Sequence, residues 1–269
     1  MKVTLNNGID MPIIGLGTVG LKGKSGENSI LTAIELGYRM IDTAQMYENE
    51  NEVGNAILQS RINRKELFII TKVNKLSNSY EKTKFSIEKS LEDLKSDYID
   101  LFLIHEPYDE SIEMYQALYD SYKNKKIRAI GISNFNQRRL EQFLKKCEII
   151  PALNQIESHI FYPQLDLKNY LETKGIQTQA WAPLAGGNKN IEKEETLKKI
   201  GKKYNKTPNQ VALRYLIQNN ISVVPKSSNK EHLKHNINIF DFELDIDDLE
   251  NIKILDSGKT LYEWTNNWK

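Results

Sequence analysis

Ile99-Asp100-Leu101-Phe102-Leu103-Ile104 is the stretch on which the fold turns. Its odd and even positions are both apolar, with Asp100 the lone polar residue. As a strand it is buried on both faces, and such strands belong to parallel sheets covered by helices. Similar short apolar runs begin near Ile13, Tyr38, Leu67, Tyr98, Ile127, Ala152, Gln177 and Ile221. Six of the seven intervals between these starts are 25 to 31 residues, the length of a strand, a helix and two loops.

The segments between the runs read as helices. Residues 81–94 put Phe85, Ile87, Leu91 and Leu94 toward one side, with Lys and Glu opposite, and 165–174 and 207–219 behave alike. Thr207-Pro208 is a helix start, while Gly37 and Gly175 stand where helices should stop. The long seventh interval holds two helical patterns, 194–204 and 207–219, and a further one, 246–255, follows the last strand. Ahead of the repeat, Asn6-Asn7-Gly8 separates Val3-Thr4-Leu5 from Ile9-Asp10-Met11, a hairpin that would plug one end of the domain. Eight alternating units predict an α/β fold. The expectation is a (β/α)8 TIM barrel with an N-terminal β-hairpin and two extra helices, residues 1–269 forming one domain. A doubly wound open sheet is the alternative.

Composition narrows the function. Of 269 residues, 39% are apolar and 27% charged, enough to bury a core and unlike a disordered chain. Lys plus Arg is 37 against 36 Asp plus Glu, a balance unlike that of a nucleic-acid or membrane-surface binder. The single cysteine, Cys147, can form neither an internal disulfide nor a thiolate metal cage. No signal-peptide core and no membrane-length apolar run is present, so a cytoplasmic protein is expected, with no nucleic-acid or membrane partner. The sequence gives no handle on oligomeric state, and a monomer is the default expectation.

Gly15-Leu16-Gly17-Thr18-Val19-Gly20, with Asp42 22 residues beyond Gly20, matches a dinucleotide fingerprint on paper. In that fingerprint the last glycine already sits in the helix that receives the pyrophosphate. Here Leu21-Lys22-Gly23-Lys24-Ser25-Gly26 follows, so the helix is expected to start only near Ser25 or Gly26 and the motif reads as a decoy.

In a barrel, chemistry sits at the carboxyl ends of the strands. Those ends carry Asp42-Thr43-Ala44-Gln45-Met46-Tyr47, Thr71-Lys72, His105-Glu106-Pro107, Gly131-Ile132-Ser133-Asn134-Phe135, Asn154-Gln155, Gln179-Ala180-Trp181 and Pro225-Lys226-Ser227-Ser228. Singly, a Lys, His or Tyr there has an ordinary structural explanation. Together, Asp42, Tyr47, Lys72 and His105 form a coherent acid site. An ammonium beside a phenol stabilises phenolate and lowers its pKa, and an aspartate holds that ammonium in place. A histidine orients a carbonyl and shares the proton work. With no metal-spaced cluster and no nucleophile elbow, the set suits protonation of an alkoxide forming at a carbonyl. The hydride must then come from a nicotinamide cofactor.

These segments, continued through Asn154-Gln155-Ile156-Glu157 and Pro225-Lys226-Ser227, resemble the aldo-keto reductase superfamily, in its order and over nearly the whole chain. The resemblance, to bacterial-type aldehyde and ketone reductases, implies a metal-free barrel that reduces small carbonyl substrates with NADPH. It implies that Tyr47 is the general acid, tuned by Lys72 and Asp42, and that His105 orients the carbonyl. Ser133, Asn134 and Gln155 would bind the nicotinamide carboxamide and Trp181 would stack on its ring. Thr18 would lie near the nicotinamide ribose and Leu184 near the pyrophosphate. Lys226, Ser227 and Asn229 would surround the 2′-phosphate, and Asn236 the adenine.

The chain also departs from the family pattern. His232 stands where an Arg often grips the 2′-phosphate, and His235 replaces a Glu beside the adenine asparagine. A histidine lacks the permanent bidentate charge of arginine, so NADH is expected to be accepted as well. Val19 and Glu106 occupy positions where many members have tryptophan, which leaves a smaller wall and adds a carboxyl group. Val19, Tyr47, His105 and Glu106 are the expected substrate pocket. In the short tail, 256–269, Trp264 and Trp268 either cap the pocket or pack on the barrel. Two competing functions use the same fold: an alcohol dehydrogenase running oxidatively, or a catalytically idle binding or structural protein.

Overall fold

The computed structural model describes residues 1–268, with side chains through residue 266. Strands β1 (Lys2–Thr4) and β2 (Asp10–Pro12) form an antiparallel hairpin with Val3 opposite Met11. Eight alternating units follow. The first three are β3 (Leu16–Gly17) with α1 (Gly23–Glu35), β4 (Met40–Asp42) with α2 (Glu50–Ser60), and β5 (Phe68–Val73) with α3 (Tyr80–Asp93). Then come β6 (Ile99–Ile104) with α4 (Ser111–Lys123), β7 (Ile127–Ser133) with α5 (Gln137–Leu144), and β8 (Leu153–Glu157) with α6 (Leu165–Thr173). The last strands are β9 (Gln177–Trp181), followed by α7 (Glu195–Tyr204) and α8 (Pro208–Gln218), and β10 (Ser222–Val223), followed by α9 (Lys230–Ile237) and α10 (Ile246–Lys253).

Strands β3 to β10 pair in parallel in chain order. The ring closes where Ile14 bridges Val223, with the Val223 N–H donating to the Ile13 carbonyl and the Gly15 N–H to that of Val223, both at 2.9 Å. This is the (β/α)8 barrel, and α7 and α10 are its two additional helices. The first strand is shorter than its apolar run because Ile13 and Ile14 serve the closure.

Two packed layers explain the runs buried on both faces. Inside the barrel, Met40, Phe68, Ile70, Leu101, Leu103, Ala129, Leu153 and Val224 form one cluster, and Leu5 and Met11 of the hairpin plug its end. The larger outer cluster lies between sheet and helices and includes Ile41, Ile69, Phe102, Ile104 and Ile130. Asp100, the polar exception in β6, is fully buried and paired with Arg64 at 2.7 Å and Arg128 at 2.6 Å. It also accepts the Ile69 N–H at 3.0 Å. A buried carboxylate so bonded is tolerated where an unpaired one would not be.

The helix starts follow local signals. Thr207 and Gln210 form a capping box with Pro208 at the first helical position. Helix α1 begins earlier than Ser25, at Gly23. Its free N–H is satisfied by Glu52 of α2 at 2.7 Å, a long-range cap with no local signature. Two glycines of the decoy motif serve packing: a Cβ on Gly15 would lie 2.8 Å from the Met40 side chain, and one on Gly17 2.6 Å from the Val224 carbonyl oxygen at the closure. Among the described residues, no helix is long and apolar enough to cross a membrane.

Candidate active site

A cavity of about 750 Å³ opens at the carboxyl ends of the strands. Period-two register carries β5 from the interior cluster to the rim: Phe68 and Ile70 face the barrel core, and Lys72 continues that face. Lys72 is completely buried, and its ammonium donates to Asp42 Oδ1 at 2.7 Å and to the Thr43 carbonyl at 2.8 Å. Asp42, at the end of β4, accepts Gln155 Nε2 on its second oxygen at 2.7 Å. The same Gln155 nitrogen donates to Gln179 Oε1 at 2.6 Å, and Gln179 Nε2 donates to Ser222 at 3.2 Å. A buried polar chain from Lys72 to Ser222 thus spans five strands.

Tyr47 follows β4 on a single 3-10 turn, Gln45–Tyr47. The Lys72 nitrogen lies 5.0 Å from its ring centroid. His105 packs edge-on against the same ring, centroids 5.6 Å apart. Tyr47, Asp42, Lys72 and His105, expected together from their strand ends, are together.

The electrostatics differ from the expectation at one point. Lys72 was expected to leave Tyr47 with a lowered pKa. Burial instead raises the phenol above its ordinary value, and the pull of Lys72 offsets only part of that rise, to which Asp42 adds. For Lys72 itself burial acts downward, but Asp42 and Tyr47 outweigh it, and the ammonium is stabilised. His105 is held well below its ordinary value by burial and then by Lys72, so its imidazole is neutral near pH 7. Its Nδ1 is buried without a hydrogen-bond partner among the described residues. The site therefore holds a protonated phenol, a neutral imidazole and one paired ammonium.

The remaining wall residues come from the following strands. Thr18 donates to the Asp42 carbonyl at 2.9 Å, and Ser133 to that of Gln155 at 2.9 Å. Asn134, in the left-handed region at φ 66°, donates to the His105 carbonyl at 3.3 Å and accepts Trp181 Nε1 at 2.7 Å. Ser133, Asn134, Gln155, Trp181 and Leu184 all line the cavity, as do Val19, Glu106 and Lys226. Val19 is exposed. Burial raises the Glu106 carboxyl against the pull of Lys75.

Ser227, Asn229, His232 and Asn236 do not line this cavity; they lie on the segment that continues from Lys226 into α9. Asn229 is the cap of α9, its carboxamide oxygen accepting the N–H groups of Glu231 at 2.9 Å and His232 at 3.1 Å. His232 is exposed in the first turn. Trp264 lines the cavity and stacks on Trp181, rings 16° from parallel. The Trp268 side chain lies outside the described residues.

Sequence reasoning missed Gln179, Tyr262 and, around Leu184, the lining residues Ala182, Pro183, Gly186 and Gly187. Gln179 was legible as an inward polar residue near the end of β9. Tyr262 was not, because its place depends on how the tail crosses the barrel.

The chain matches the aldo/keto reductase family over residues 13–257. The chain belongs to the aldo/keto reductase family. It is 43% identical over 259 residues to the glyoxal reductase of Bacillus subtilis (strain 168), covering 96% of this chain and 93% of that protein. Among solved structures it resembles an aldo-keto reductase enzyme from a Medee basin deep-sea metagenome library, with a TM-score of 0.94 at 42% identity, covering 97% of each chain. It also resembles a Bombyx mori aldo-keto reductase in complex with NADP, with a TM-score of 0.92 at 30% identity over 100% of this chain and 98% of that one. This member of the family is an oxidoreductase that works with a nicotinamide cofactor, and its relatives make carbonyl compounds its substrate class.

Proposed function

We propose that this chain reduces small, polar aldehydes and ketones to alcohols with NADPH, using Tyr47 as the general acid. The observation that carries the reading is the set of Asp42, Tyr47 and His105 on the cavity lining, with the buried Lys72 paired to Asp42 behind them. The chain's features suit the cofactor. An indole, Trp181, shares the cavity lining with the amide and hydroxyl groups of Ser133, Asn134 and Gln155, a set that suits a flat ring bearing a carboxamide. Left-handed backbone at Ala182, Ala185, Gly186 and Gly187 borders the cavity beside Leu184, and turn backbone with successive N–H groups makes concavities for anions. Lys226, followed by the start of α9 with Ser227, Asn229 and His232, suits a phosphate, and Asn236 lies one turn further on.

When bound, the cofactor supplies the hydride. The chain does the rest. His105, neutral, orients the carbonyl oxygen by hydrogen bonding. The Tyr47 hydroxyl donates its proton to that oxygen as negative charge develops there, and water later returns a proton to the phenolate. Burial keeps the phenol protonated until it is needed, and Lys72, held charged by Asp42, stabilises the phenolate left behind. Val19 and Glu106 open the pocket to small polar substrates. The chain acts as one domain and as a cytoplasmic monomer in this proposal.

A steady-state screen of small aldehydes, ketones and α-dicarbonyls with NADPH and NADH tests it. The proposal expects turnover of small polar carbonyls, higher with NADPH. Failure to reduce any of them with either cofactor would overturn it.

A further inference from the structure

Glu157 belongs to the motif Asn154-Gln155-Ile156-Glu157, yet neither the proton-handling set nor the proposed cofactor contacts use it. It ends β8, and its side chain is only 3% exposed. A carboxylate this deeply buried needs partners, and most of its partners come from the tail. Oε1 accepts the Leu261 N–H at 2.8 Å and faces His159 Nε2 at 3.1 Å. Oε2 accepts the Thr260 hydroxyl. Nearby, Ser257 donates its N–H and its hydroxyl to the Phe161 carbonyl at 2.9 and 2.8 Å.

The residues just beyond this tether face the cavity. Tyr262 packs edge-on against Trp181, centroids 4.8 Å apart, and Trp264 stacks on the same indole at 5.7 Å. Both line the pocket. Tyr262 also fills the space above Gly186, where a Cβ would meet its hydroxyl. The tail therefore forms a wall of the pocket, and the only carboxylate gripping the segment Thr260–Leu261 among the described residues is Glu157.

We propose that Glu157 is a positioning residue for substrate selection: it holds Thr260 and Leu261 so that Tyr262 and Trp264 make a fixed wall. The inference rests on the carbonyl-reductase reading. Because the Glu157 carboxylate is bonded to the tail and to His159, its loss should free the wall while leaving the proton-handling set in place. A carboxylate is required because both oxygens accept, whereas a glutamine has one acceptor oxygen and would turn an amide N–H toward a donor.

The test compares Glu157→Gln, Thr260→Val and the double variant. Four quantities are read: KM and kcat for one small and one bulky aldehyde, the NADPH dissociation constant, and the rate of tryptic cleavage after the exposed Lys259. Each single variant should raise KM for the small aldehyde by about tenfold, the worth of one lost charge-assisted hydrogen bond. The fall in kcat should be much smaller, the cofactor constant should hold, and discrimination against the bulky aldehyde should shrink. Cleavage after Lys259 should accelerate. The double variant should be no worse than the poorer single one, because both substitutions break the same tether. Unchanged KM in both single variants, or effects that multiply in the double, would overturn the inference. If the wild-type protein reduces no carbonyl, the reductase reading fails. The cleavage assay needs no turnover, so unchanged cleavage in both variants would still overturn the tether separately.

Discussion

Lys72→Met removes the ammonium but keeps much of the stem, and it leaves the Asp42 carboxylate almost fully buried with only Gln155 donating to it. Breaking a buried pair by removing one partner costs about 3–5 kcal/mol, because the remaining charge stays desolvated. For a chain of this size that corresponds to a melting temperature lower by roughly 10 °C. Adding Asp42→Asn removes the stranded charge, so the double variant should recover most of the lost stability, a coupling of about 2–3 kcal/mol. Turnover should not recover. Without Lys72 the phenolate of Tyr47 loses its counter-charge, and the Tyr47 pKa, already raised by burial, climbs further. Urea unfolding of the single and double variants, followed by circular dichroism, reads the stability, and steady-state kinetics read the turnover. A single variant as stable as wild type, or a double variant no more stable than the single, would refute the assignment of Lys72–Asp42 as a desolvated pair. An active single variant would refute its role beside Tyr47.

Further predictions concern other parts of the chain. Glu50 is buried against Thr71 and Ser90, and burial raises its carboxyl to about 7. The native state then binds more protons than the unfolded chain between the ordinary carboxylate value and about pH 7, so this group's contribution to stability falls as pH rises through that window, by about 3 kcal/mol in all. Glu50→Gln should flatten that fall, and unfolding midpoints at about pH 5 and about pH 8 would show whether it does. NADPH should quench tryptophan emission in a saturable way, and Trp181→Ala should weaken binding and remove much of the signal; titration of both proteins checks this. His232→Arg places a permanent charge in the first turn of α9 and should tighten NADPH by about tenfold while leaving NADH nearly unchanged; equal tightening of both would remove His232 from the phosphate site.

The fold was legible because its signal is repetitive. Eight apolar runs at nearly even spacing locate the barrel even though β3 and β10 have only two residues each. What could not be read locally was whatever depends on distant partners. The early start of α1 needs Glu52 from another helix, and Asp100 in a buried strand needs Arg64 and Arg128 from two other segments. The acid site was legible for a different reason: period-two register and strand ends leave Asp42, Lys72 and His105 little choice of place. The sign of the Tyr47 shift was not, since a neighbouring ammonium can be inferred from sequence but the depth of burial that opposes it cannot. The tail wall was legible only as one of two options for Trp264, because the places of Tyr262 and Trp264 depend on contacts between the tail and distant strands.

Tyr47→Phe tests the central claim most directly, because it removes one oxygen and leaves the ring against His105. NADPH binding should stay near the wild-type value, and single-turnover carbonyl reduction should slow by at least about 10²-fold, the low end for general acid catalysis. A variant that binds cofactor and reduces the carbonyl at close to the wild-type rate would contradict the account.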